Sequence, residues 1–189
     1  LAGRRRVAAP TGIAMILVDR AGENVIAVLP GANAEIGPED AETALAGLAQ
    51  GDVLMLQQEI PQAATRRALD LARRQGVLSL LNTAPFLPDT AEVASLAAIV
   101  VANETEFDRL APGTAPLEER MRDWTAARGQ VLIVTLGAGG VRAATPGGLI
   151  SVPAPHIVPV DSVGAGDTFC GYLAAGLAAG HSLDAALRR

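Results

Sequence analysis

Apolar residues along this chain follow two patterns that take turns. Short, continuous apolar runs occupy residues 53–56, 77–81, 99–102 and 131–134. Runs of this length, bounded by polar or turn residues, predict buried β-strands. Between them lie longer segments with apolar residues at helical spacing. Pro38 opens a predicted helix over 39–50, since proline suits a first helical position. Residues 62–75 form an amphipathic helix closed by Gly76. Residues 104–110 and 117–128 predict two more helices. Two segments break the alternation. Residues 13–18 and 25–29 are β-rich runs joined by 20–23, the pattern of a hairpin. Residues 141–145 and 149–152 flank Pro146, Gly147 and Gly148 and predict a second hairpin. A β-favouring run at 156–160 then precedes helix formers over 168–179.

Strands that alternate with helices and are themselves wholly apolar predict an α/β fold, with a parallel sheet covered on both faces. Ligands of such sheets gather at the carboxyl ends of the strands. The positions to inspect are therefore 57–59, 82–83, 103–106 and 135–140.

Composition narrows the classes. The chain has 189 residues, half of them hydrophobic and 19% charged, enough for one domain with a substantial core. Its formal charge is -5 and aromatics make up 3%, whereas a nucleic-acid binder carries a basic stripe with interleaved aromatics. Arg4, Arg5 and Arg6 read as a solvated edge. The single cysteine, Cys170, allows no internal disulfide and suits a reducing cytoplasm. The longest apolar stretch, 93–102, is about half the length needed to span a bilayer, so no membrane role is expected. No signal peptide opens the chain, and a start at Leu1 beside a strand pattern reads as a piece of a larger protein. All 15 basic residues are arginine. The lack of lysine excludes a Walker A loop within this chain, a protein-kinase strand lysine and a pyridoxal Schiff base.

The densest candidate chemistry is Gly164, Ala165, Gly166 and Asp167. These residues stand where a loop enters a helix, so backbone amides there face outward at the positive end of the helix dipole. Glycines permit close approach of a ligand, and the whole suits a phosphoryl group in transfer. Asp167 at the rim can accept a hydroxyl proton. Alternatively, Asp167 caps the helix and the glycines make a turn. These four residues do not decide between the two.

Gly137, Gly139 and Gly140 raise a dinucleotide-binding alternative. That motif must open a helix and carry an acid about 20 residues on. Here a hairpin follows, and prolines at 153 and 155 occupy the later position. A glycine turn against which a nucleotide lies fits better. Asn103 and Glu106 have the spacing of a helix capping box, a complete local explanation. A second role for Glu106 is to organise hydrated Mg²⁺. Glu59, before Pro61, can hydrogen-bond a polyol or face water. Cys170 reads as a packed small residue, and His156 and His181 lack metal-ligand spacing.

Together the motifs resemble the ribokinase family of carbohydrate kinases, which also holds adenosine kinase, fructokinases and the minor phosphofructokinase. The matching stretches run in order through nearly the whole chain: 22–26, 31–34, 57–61, 81–85, 103–106, 135–140 and 161–169. The resemblance implies a Rossmann-type three-layer sandwich with a mostly parallel central sheet and part of a small β lid. Residues 13–29 would belong to the lid and 36–189 to the α/β core. The implied reaction is ATP-dependent phosphorylation of a sugar hydroxyl, D-ribose to ribose 5-phosphate first. Other sugars or nucleosides (fructose, fructose phosphate, a keto-deoxy sugar acid, adenosine) and a truncated, inactive binding protein are the alternatives.

By the same resemblance Asp167 would be the base, with Gly164, Ala165 and Gly166 as the anion hole. Asn103 and the loop Thr135, Leu136, Gly137, Ala138, Gly139 and Gly140 would contact ATP. Glu106 would support Mg²⁺, and Glu59 and Asp167 would meet the sugar. Asp161 and the Val163 carbonyl would help hold a monovalent cation, K⁺. The lid hairpin could serve as a homodimer clasp. Two departures stand out. The family's N-terminal part lies outside this sequence, and so does its C-terminal part; Thr83 in place of a proline in the family's Asn-Pro-Ala-Pro is a minor change.

Overall fold

The computed structural model describes residues 5–18, 24–158 and 163–189. Strands β1 (Ile13–Val18) and β2 (Asn24–Leu29) come first, followed by helix α1 (Pro38–Leu45). Next are β3 (Val53–Leu56), α2 (Gln62–Gln75), β4 (Leu78–Asn82), α3 (Thr90–Ala94) and β5 (Ile99–Asn103). Then come α4 (Glu104–Leu110), α5 (Leu117–Arg128), β6 (Val131–Thr135), β7 (Val141–Thr145) and β8 (Gly148–Val152). Helices α6 (Ala165–Ala178) and α7 (Leu183–Leu187) end the chain.

Strands β3 to β8 form a six-stranded sheet in sequential order. The first four are parallel, and β7 and β8 turn back antiparallel as a hairpin. Sequential parallel strands with right-handed crossovers place α2 to α5 on one face. The side-chain period of two then divides the strands cleanly. Leu81, Val100, Ala102, Leu132, Val134 and Ala144 pack with Leu69, Phe107, Met121 and Trp124 from those helices. Leu80, Ile99, Val101, Ile133, Val141 and Ala143 pack on the other face with Cys170, Leu173, Ala186 and Leu187 of α6 and α7. The result is the predicted three-layer α/β sandwich. No helix among the described residues is long and apolar enough to cross a membrane.

Strands β1 and β2 form a separate two-stranded antiparallel sheet, with Ile13 opposite Leu29 and Ile16 opposite Ile26. The expected turn at 20–23 lies outside the described residues. All six β1 residues are exposed, Leu17 at 72%. An apolar ribbon of two strands has no core of its own.

Three expectations need correction. The helix expected over 39–50 ends at Leu45, ahead of Gly47, because glycine is a poor helix former. Of the β-favouring run at 156–160, residues 156–158 are not in a strand, and 159–160 lie outside the described residues. Pro153 and Pro155 remove the donors a ladder would need. The last long helix starts at Ala165, not 168, which puts Asp167 inside its first turn. The short helices α3 and α7 carry no sequence periodicity and were not anticipated.

Phe107 is fully buried between α4 and the sheet. Phe107→Ala should cost about 3–5 kcal/mol, read from urea unfolding of the two proteins. A loss below about 1 kcal/mol would show that this layer is not the core it is taken to be.

Candidate active site

Register builds the site. Asn82 pairs with Val101, and Asn103 with Thr135, so β4, β5 and β6 end along one edge. Asn82, Asn103 and Thr135 fall on the same strand face as Leu80, Val101 and Ile133, the face that α6 covers. Gly164 precedes α6 in the left-handed region, at φ 72°, a conformation that favours glycine. The first bond of the helix runs from Thr168 N to Gly164 O at 2.9 Å. The amides of Ala165, Gly166 and Asp167 precede it and have no intrahelical acceptor.

The helix start closes over the strand ends to leave a cleft of about 140 Å³. Its lining includes Asn103, Glu106, Thr135, Gly164, Gly166 and Asp167. Residues far apart in the chain thus share one polar space. It combines outward amides, which attract an anion, with two carboxylates, which accept protons or meet hydrated cations.

Asp167 is exposed at the third position of α6, and the cap position belongs to Gly164, which makes no side-chain cap bond. Asp167 is therefore not the cap residue itself, although an acid in the first turn still favours the helix dipole. A Cβ at Gly166 would meet nothing within 4 Å, and its φ is not left-handed. No crowding within the described residues requires glycine there.

Asn103 and Glu106 form the reciprocal capping box: Glu106 N donates to Asn103 Oδ1 at 2.8 Å, and Asn103 N donates to Glu106 Oε2 at 3.0 Å. Both residues also line the cleft, so capping does not exhaust Glu106.

Other expected residues sit apart. Thr135 enters the cleft, while Leu136, Gly137, Ala138, Gly139 and Gly140 form the adjoining turn outside its lining. No α-helix opens there; a single 3-10 turn leads into β7, against a dinucleotide motif. Gly140 has a φ of 83°, and a Cβ on it would lie 2.2 Å from Val152 O, so chain packing alone demands this glycine. Glu59 is exposed and outside the cleft; its N–H donates to Gln57 Oε1. Ala165 is next to the cleft lining without being part of it. Val163 is exposed, and Asp161 lies outside the described residues. Among the described residues no group of three or more His, Cys, Asp or Glu could hold a metal by itself.

Cys170, read as a packed small residue, and Thr83, one of the positions after a strand, both lie at the site. Cys170 is buried and lines the cleft one turn beyond Gly166. Thr83 is fully buried behind it. Its place directly after a buried strand marks it as a position to inspect but does not reveal its hydrogen-bond partner.

This architecture is a ribokinase-like α/β sandwich. The profile of the pfkB family carbohydrate kinases matches residues 4–189, and the chain belongs to that family. It is 36% identical to the ribokinase of Mus musculus over 174 residues, which is 88% of this chain and 54% of that protein. The crystal structure of ribokinase from Thermotoga maritima superposes with a TM-score of 0.82 at 31% identity, over 97% of this chain and 61% of that one. The ribokinase of Arabidopsis thaliana, solved with ribose and ATP, superposes at 0.79 with 28% identity, over 95% of this chain and 60% of that one. The chain spans about half the length of the curated relatives it matches.

Burial, with the nearby Asp167 and Glu106 charges, pushes the Cys170 thiol up to about 11. The reactive form is the thiolate. A thiol-specific reagent at about pH 8 should therefore label the folded protein far more slowly than the urea-unfolded one, whose thiol has an ordinary value. The folded-state rate should keep rising with pH until about 11. Equal rates in the two states would contradict the buried placement.

Proposed function

We propose that the protein carrying this chain transfers the γ-phosphoryl group of ATP to a sugar hydroxyl, with D-ribose giving ribose 5-phosphate. The observation that carries this reading is the convergence of Asp167, the α6 amides and Glu106 on one cleft at the carboxyl edge of the sheet. Family membership and likeness to ribokinases support the reaction class.

In this reading the Asp167 carboxylate takes the proton of the attacking hydroxyl while that oxygen bonds to the γ-phosphorus. The bond to the ADP oxygen breaks in line. The amides around Gly164, Ala165 and Gly166 neutralise charge on the transferred group. Asn103 and the turn from Thr135 to Gly140 flank the nucleotide. Glu59, on the β3 loop, hydrogen-bonds the sugar from outside the cleft.

Glu106 fits Mg²⁺, which binds through one or two carboxylates together with phosphate oxygens. Such an ion would neutralise phosphate charge, and Glu106 is the residue placed to hold its water shell. Asp161 and the Val163 carbonyl are assigned to K⁺. Residues 36–189 serve as the catalytic core and 13–29 as the lid. A lone buried cysteine suits a cytoplasmic setting.

Asp167→Asn in the full-length protein should lower kcat by roughly 10²- to 10⁴-fold with ATP affinity little changed, the effect of removing a general base. Near-normal turnover would sink the assignment. A panel of ribose, fructose, fructose phosphate, a keto-deoxy sugar acid and adenosine tests the substrate, with ribose expected to show the highest kcat/KM.

The exposed apolar ribbon of β1 and β2 is the proposed homodimer clasp, since exposed apolar strands seek a partner. Sedimentation at micromolar concentration should give a dimer. A monomer there would remove the clasp.

A further inference from the structure

We propose that Thr83 is a positioning residue for Glu106, fixing its carboxylate at the cleft through the threonine hydroxyl. The inference uses the phosphoryl-transfer reading for its kinetic consequence only; the geometry stands without it.

Thr83 has little freedom. It is fully buried in the loop after β4. Its N–H donates to Val101 O at 2.9 Å, and its carbonyl accepts from Gln58 Nε2 at 2.8 Å. With the backbone held from both sides, Oγ1 sits 2.8 Å from Glu106 Oε2 and 3.2 Å from Val101 O. A hydroxyl has one proton for these two acceptors. The bond to the carboxylate is the shorter and is charge-assisted, so it takes the proton.

Glu106 Oε2 also accepts the Asn103 N–H. Both described bonds to this carboxylate therefore fall on one oxygen, which leaves Oε1 for other work. A capping box accounts for the bond from Asn103 and needs nothing from residue 83. Thr83 comes from the loop after β4, 23 residues earlier in the chain. The second acceptor matters too. If Glu106 rotates toward a cation, Thr83 can give its proton to Val101 O, and no buried hydroxyl is left unpaired.

Thr83→Val keeps the shape and removes the donor; Thr83→Ser keeps the donor. In the full-length protein, Thr83→Val should raise the Mg²⁺ concentration for half-maximal turnover on the order of tenfold or more, the worth of a charge-assisted hydrogen bond. The sugar KM should not move, and Thr83→Ser should behave as wild type. A valine variant with wild-type Mg²⁺ dependence would overturn the proposal. So would a serine variant as impaired as valine, since that pattern reports packing. The crystal structure of Thr83→Val without nucleotide is an independent readout. Glu106 displaced from Asn103 N supports the proposal, and an unmoved carboxylate overturns it. If wild-type protein transfers no phosphoryl group, the functional reading fails while this structure still decides the role of Thr83.

Discussion

Parallel pairing of β4, β5 and β6 is the constraint on which the site depends. Parallel neighbours must all end at one edge, so each strand delivers its last residue to the same place. Their register sets Asn103 beside Thr135 and Asn82 beside Val101. The period of two then turns Asn82, Asn103 and Thr135 toward α6 rather than toward α2 to α5. A slip of one residue in any strand would send its terminal polar group into the opposite apolar cluster. The same core that stabilises the sheet therefore aims the polar residues.

A buried polar network ties the loops at that edge together. Gln58 is 2% exposed, and its Nε2 lies within hydrogen-bond distance of Thr83 O, Pro85 O and Thr90 Oγ1. A buried amide without partners would cost more than these bonds contribute, so the β3 and β4 loops stay joined at this point. Thr83 extends the connection to Glu106, and Glu59 follows Gln58 directly in the chain. The acid assigned to the sugar and the acid assigned to the phosphates are thus mounted on one continuous support.

The ribbon of β1 and β2 obeys different physics. Its strands alternate like any hairpin, yet both faces are exposed and apolar. Such a surface gains nothing from water and would gain from being covered. The core sheet has no such need, because helices cover both its faces.

Much of this was written in local pattern. The apolar runs at 99–102 and 131–134 lie within β5 and β6, because continuous burial leaves that mark in any sequence, whereas 53–56 forms β3 at the end of the sheet, half-buried with Met55 exposed. Gly76 and the hairpin at 141–152 read correctly because turn chemistry is local. So did the capping box of Asn103 and Glu106. Other features depended on partners distant in the chain. That Asp167 lies inside the helix, with Gly164 at its cap, depended on where α6 begins over the sheet. Gly140 owes its identity to the backbone of Val152 to Ala154, packed against it. Thr83 looked like a minor change because its acceptor lies 23 residues away on another element. The sequence alone determined which elements form and which residue types carry chemistry, since propensity and periodicity act between near neighbours. Only the tertiary structure decided which of those residues share a cleft and how Glu106 is held, since strand register and packing act between residues far apart in the chain.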